Sequence, residues 1–180
     1  WFDWDLPLTS INVSPVHDGL WGHGWAPDSE VTITIDDVEH STLPTDTDGN
    51  FGDEWDPMGA DLAEGVLIEV TDGVSTKDHE ITPLAITDID TENEMISGSA
   101  TPNGGFDIWV HDTDAWRHLD VDNTGNWTVN FSVPGTTDEQ QGTADLERGS
   151  NGNSAECDDD GDCTWFEWEV PNPTFSVRVD

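Results

Sequence analysis

The chain has 180 residues, of which 40 are acidic and 4 basic, giving a formal net charge of −36. A surface of that sign repels nucleic acid and anionic lipid, which argues against either as a partner. The length suits one large domain or two small ones, and no apolar run approaches the ~18 residues of a membrane-spanning helix.

The first element in chain order is Trp1-Phe2-Asp3-Trp4-Asp5-Leu6-Pro7, and it recurs as Trp165-Phe166-Glu167-Trp168-Glu169-Val170-Pro171. The step from position 1 to 165 is an offset of 164, and every substitution in the match is conservative. The register continues into the next strand, where Phe175-Ser176-Val177 answers Ile11-Asn12-Val13. The sequence therefore reads as a fragment of a tandem array. Residues 1–7 are expected to be a closing strand equivalent to that of a preceding repeat, and 172–180 the first strand of a following one.

Strands follow from alternation. Val31-Thr32-Ile33-Thr34-Ile35 puts its apolar residues on one face, the mark of a half-buried strand. Phe106 to His111 and Trp127 to Phe131 do the same, and no stretch holds a helical period. A weaker repeat relates Trp21-Gly22-His23-Gly24-Trp25-Ala26-Pro27 to Ile96-Ser97-Gly98-Ser99-Ala100-Thr101-Pro102, from 21 to 96, an offset of 75. Gly49-Asn50-Phe51 likewise answers Gly125-Asn126-Trp127. Each period then holds two related domains, expected at 8–86 and 87–171, with an acidic insertion at 134–162 in the second. Thr87 to Asp90 reads as a linker, and domains so joined would make a semi-rigid rod.

The run Ile96 to Pro102, the strand Phe106 to His111 and then Asp122-Asn123-Thr124-Gly125-Asn126-Trp127-Thr128-Val129 resemble bacterial immunoglobulin-like domains, which read I-S-G-T-A-x-P-G, a strand, then D-x-x-G-N-W-x-V. The resemblance covers both halves and is stronger in the second. It implies an all-β fold of two immunoglobulin-like β-sandwich domains in tandem, and a role in surface stalks, adhesins or cell-wall arrays without a catalytic centre.

Cys157-Asp158-Asp159-Asp160-Gly161-Asp162-Cys163 is the sharpest local signal. Asp158, Asp160 and Asp162 have the alternate spacing of a calcium loop, with Thr164 and Glu169 at the later ligand positions. The competing reading is a solvated acidic hairpin tip. An even cysteine pair in a strand-rich chain points to a Cys157–Cys163 disulfide and an oxidising compartment, against two free thiols. Asp46-Thr47-Asp48-Gly49-Asn50 fits a β-turn better than a second cation site. Bulk salt or bound divalent cations would relieve the self-repulsion of so acidic a chain, so a saline habitat and calcium are both implied.

The six histidines show no metal-site spacing and read as isolated surface residues. No nucleophile or phosphate-loop motif occurs. N-x-S/T sequons stand at Asn12, Asn126 and Asn130. Trp1, Phe2, Trp4, Leu6, Trp109, Trp165, Phe166 and Trp168 are candidates for contacts between repeats, and copies of the chain or adjacent repeats are the expected partners. The reading reached is a non-catalytic structural repeat of an extracellular filament, stalk or surface adhesin. The alternative is a glycan-binding adhesin module whose exposed indoles, Trp109 first, stack on sugars.

Overall fold

The computed structural model describes residues 9–172. They form fourteen strands and no helix. β1 (Ser10–Ser14), β2 (Gly19–His23), β3 (Glu30–Ile35), β4 (Val38–Pro44), β5 (Phe51–Pro57), β6 (Leu67–Thr71) and β7 (Thr76–Glu80) build one half. The other half holds β8 (Ala85–Asp90), β9 (Met95–Ser99), β10 (Gly105–Val110), β11 (Trp116–Asp120), β12 (Asn126–Asn130), β13 (Asn151–Cys157) and β14 (Cys163–Glu169).

Both halves follow one plan. The first, second and fifth strands of each form one layer, and the fourth, third, sixth and seventh form the other. This is an immunoglobulin-like β-sandwich, repeated. Each half has its own core. Ile11, Val13, Leu20, Val31, Ile33 and Ile68 lie in the first, while Ile96, Phe106, Ile108, Phe131, Leu146 and Trp168 lie in the second. Alternation assigns the faces of β3 correctly, since Val31 and Ile33 point inward and Thr32 and Thr34 do not.

The internal repeat needs one adjustment. Leu20 and Ile96 face their cores, as do Gly22 and Gly98, so β2 and β9 correspond at an offset of 76 and not 75. A one-residue slip turns every side chain to the opposite face. Trp21 therefore lies on the outside of its sheet. The two inward glycines exist because an aromatic ring covers each one. A Cβ on Gly98 would sit 2.5 Å from the Trp127 ring across the strand pair, and one on Gly22 would collide with Phe51.

Two expected boundaries move. Ile86 and Thr87 do not divide the halves, because Ala85–Asp90 is a single strand paired with β9. The cores part between Ile81, which belongs to the first, and Leu84, which belongs to the second. The expected insertion shrinks as well, because residues 151–157 are β13, a central strand of the sheet. That strand escapes an apolar pattern because its inward positions are Gly152, Ser154 and Glu156. Gly152 lies beneath the Trp168 indole, and Glu156 accepts the Thr101 amide at 3.2 Å.

The halves are not beads on a linker. β14 of the second pairs in parallel with β1 of the first, Asn12 opposite Cys163 and Val13 opposite Thr164. One seven-stranded sheet, β11-β10-β13-β14-β1-β2-β5, thus runs through both sandwiches.

The seam between β14 and β1 as candidate functional site

Parallel pairing leaves few backbone bonds in so short an overlap, and side chains supply the rest. Asp162, only 1% exposed, ends the β13–β14 turn and sends its carboxylate across the seam. Its Oδ1 accepts the Ile11 amide at 2.8 Å, and its Oδ2 lies 3.2 Å from the Lys77 ammonium on β7. The indole N–H of Trp165 donates to Asn12 Oδ1 at 2.9 Å. Ser14 donates its hydroxyl to Glu167 Oε2 at 3.0 Å, and His17 Nε2 stands 3.5 Å from the same oxygen. Each of these bonds joins one sandwich to the other.

Behind the strands lies a second layer of bridges. His79 is buried between Asp158 Oδ2 at 3.3 Å and Thr164 Oγ1 at 2.9 Å. A neutral imidazole protonated on Nδ1 satisfies both, donating to the carboxylate and accepting the Thr164 hydroxyl. Thr164 Oγ1 in turn accepts the Thr82 amide at 3.0 Å. Lys77 also donates to the Asp160 carbonyl at 3.1 Å. The Cys157–Cys163 disulfide forms and closes the base of this hairpin, where the two residues face each other in the ladder.

These contacts place the five expected calcium ligands. Asp158, Asp160 and Asp162 do share one turn, but the cation among them is Lys77, and Asp158 Oδ1 accepts the amides of Asp160 and Asp162. Thr164 points its hydroxyl at His79, and Glu169 lies at the far end of β14, exposed. Strand geometry puts it about 20 Å from the turn, because each residue of strand advances about 3.3 Å. The five therefore do not converge. Among the described residues, no group of three or more His, Cys, Asp or Glu side chains is placed to hold a metal ion. The Asp46 segment is a turn, with Asp46 Oδ1 accepting the amides of Asp48 and Asn50.

Charge at the seam is finely balanced. Burial raises the pKa of Asp162, outweighing the Ile11 amide and Lys77, which favour its anion. Burial also opposes the anion of Asp158, but the amides of Asp162 and Asp160 and the imidazole of His79 prevail, and its pKa falls. Glu54 on β5 is pushed up to about 8 by burial, by its hydrogen bond to Glu167 and by the charges of Glu167 and Asp53. Below that pH Glu54 is a carboxylic acid able to donate to Glu167, whose buried Oε1 has no hydrogen-bond partner among the described residues.

Other expected residues fall as follows. Phe166, Trp168 and Val170 pack in or against the second core, while Trp1, Phe2, Trp4 and Leu6 and the expected strand 172–180 lie outside the described residues, apart from Asn172. Trp109 faces outward and stacks on Trp165, ring centres 6.0 Å apart. Asn12 is buried against Trp165, which removes it as a glycosylation site in the folded chain, whereas Asn126 is exposed and Asn130 half-buried. Lys77, His79 and the Asp162–Ile11 bond were not visible in the sequence. Every partner is at least 79 residues away from its mate in the chain, so no local motif marks them.

No protein-family model and no curated protein sequence matches the chain. Among solved structures it is similar to one titled "Biofilm associated protein - BSP domain", at 15% identity and a TM-score of 0.35, over 94% of this chain and 30% of that one. A second is titled "Crystal structure of tetra-tandem repeat in extending region of large adhesion protein", at 16% identity and a TM-score of 0.33, over 89% of this chain and 48% of that one. The chain spans less than half the length of either.

Proposed function

We propose that the chain is a non-catalytic structural module of an extracellular stalk, filament or surface adhesin, built to carry tension along an array of like units. The observation that supports this is the seam. β1 is the first described strand and β14 the last, and they are parallel neighbours. Force on the two ends draws β1 toward its N-terminal side and β14 toward its C-terminal side, so the strands are sheared past each other. The Ile11–Asp162, Asn12–Trp165 and Ser14–Glu167 bonds then resist together. A hairpin loaded at its open end would instead unzip, breaking its bonds in succession. The sequence match at an offset of 164, which relates Trp1–Pro7 to Trp165–Pro171, fits such an array. The disulfide suits an oxidising, extracellular setting.

Single-molecule pulling on the two ends tests this. Asn12→Ala and Asp162→Ala are expected to lower the unfolding force, while Val74→Ala, in the exposed β6–β7 turn, leaves it unchanged. Equal forces for all four proteins refute the proposal.

A further inference from the structure

The outer face of the seven-stranded sheet is unlike the rest of this acidic surface. Alternation along its strands brings Trp116, Trp109, Trp165 and Trp21 to that side, on β11, β10, β14 and β2, and Trp55 stands beside them at the β5 edge. Trp109 and Trp165 are stacked, with 16° between their planes, and Trp21 follows 6.3 Å from Trp165. Trp55 is 64% exposed, although an indole is costly to leave in water. Three hollows of about 610, 470 and 410 Å³ open on this face. The first two share Asn153, the second and third share Trp55, and the first and third share His111 and Asn151. They are parts of one trough. Seven strands at about 4.8 Å spacing make it long enough for an extended chain and not only for a single ring.

We propose that this trough binds a neutral polysaccharide. The C–H faces of sugar rings are apolar and pack on indoles, while their hydroxyls need donors and acceptors at the margins of the rings. Asn153, at the junction of two hollows, supplies both from one amide. The rim carboxylates Asp53, Asp112 and Glu169 accept hydrogen bonds from hydroxyl groups without requiring a cation. Charge selects among occupants. Nucleic acids, anionic lipids, acidic glycans and a second copy of this chain all carry negative charge, and the protein's −36 repels each of them. A cationic partner would be drawn to acidic surface in general and has no reason to prefer the one face where aromatic rings gather. A neutral polyhydroxylated chain avoids the repulsion and uses the indoles. The trough meets the seam at Trp165, whose ring lines it while its N–H donates to Asn12, but the binding proposal does not rest on the mechanical one.

The test is affinity electrophoresis of the whole chain through native gels containing β-glucan, xylan, galactomannan, dextran or, as the anionic arm, alginate, with tryptophan fluorescence titration to give affinities. At least one neutral polymer is expected to retard the protein. Trp55→Ala and Trp21→Ala should each weaken that binding by roughly tenfold, with melting temperatures near that of the parent. Trp55 is largely exposed, so its variant folds and the result is readable. The proposal is overturned if no neutral polymer binds, if alginate binds best, or if both variants keep the parent affinity. It is equally overturned if the Trp55→Ala change abolishes self-association instead, which would assign the face to a second copy.

Discussion

The two sandwiches share a topology but bridge their fifth and sixth strands with segments of different length. The first passes directly from Pro57 to Leu67 and buries Leu62 on the way, while the second runs from Asn130 to Asn151 and buries Ala144 and Leu146. One device anchors both. Asp18 accepts the Leu62 amide and Glu94 accepts the Leu146 amide, and the two acids stand at equivalent points after the first strand, with φ of 54° and 55°. The longer segment needs more. Arg117, 4% exposed, donates to the carbonyls of Trp116, Val133 and Gly142 and lies over the Phe131 ring. Of four basic residues in the chain, Arg117 and Lys77 are therefore both interior fasteners. Two of its few cations thus help close a loop and a joint, while Arg148 is exposed.

That comparison can be broken at Arg117 first. Arg117→Ala removes a buried side chain that packs on Phe131 and bonds three carbonyls, and is expected to cost about 4 kcal/mol, read by chemical denaturation. If the sandwiches are one unit, the whole transition moves. If they are separate, only the half with the longer connection loses stability. Lys77→Ala removes the chain's single lysine from among the hairpin carboxylates and leaves Asp162 buried as an unpaired anion, for an expected loss of about 3 kcal/mol. The same variant sharpens the question of calcium. With Lys77 in place, a chelator at fixed ionic strength should move the melting temperature little. Without it, added calcium should restore part of the loss, and an equal response of both proteins would show that the ammonium does not occupy the cation position.

Reducing Cys157–Cys163 frees a loop whose sequence separation is 6, and is expected to cost about 2 kcal/mol in the chain-entropy account. Because the loop carries Asp162, reduction should act on the seam more than on either core. The smallest effect is on pH dependence. Glu54 has a folded pKa of about 8, above its ordinary value of 4.5, so it favours the fold fully only below about 4.5. That contribution falls as pH rises and is gone above about 8. Glu54→Gln should flatten the decline between those limits. An unchanged slope would show that Glu54 and Glu167 share no proton.

Much of this fold was legible in the sequence, and the reasons are specific. Val31, Ile33, Phe106 and Ile108 alternate cleanly because their strands bury one face. The cysteine pair announced its disulfide through spacing and parity. β13 stayed hidden because the Trp168 indole of the neighbouring strand fills the space above Gly152, so its own inward residues need not be apolar. The seam was invisible for another reason. Ile11 and Asp162, or Lys77 and Asp160, are 151 and 83 residues apart and meet only where the two sandwiches join, and neither sequence neighbourhood carries a trace of the other. The Asp158–Asp162 spacing, read as a ligand pattern, belongs instead to a turn that folds on its own amides and docks against the first sandwich. Asp18 and Glu94 could have been found, since an offset of 76 relates them as it relates Gly22 and Gly98.

Calorimetry of the intact chain shows whether the β14–β1 seam makes the two sandwiches a single cooperative body. One transition is expected, in which the calorimetric and van't Hoff enthalpies agree, lowered as a whole by Asp162→Ala. Two resolved transitions, or an Asp162→Ala variant that melts like the parent, would contradict it.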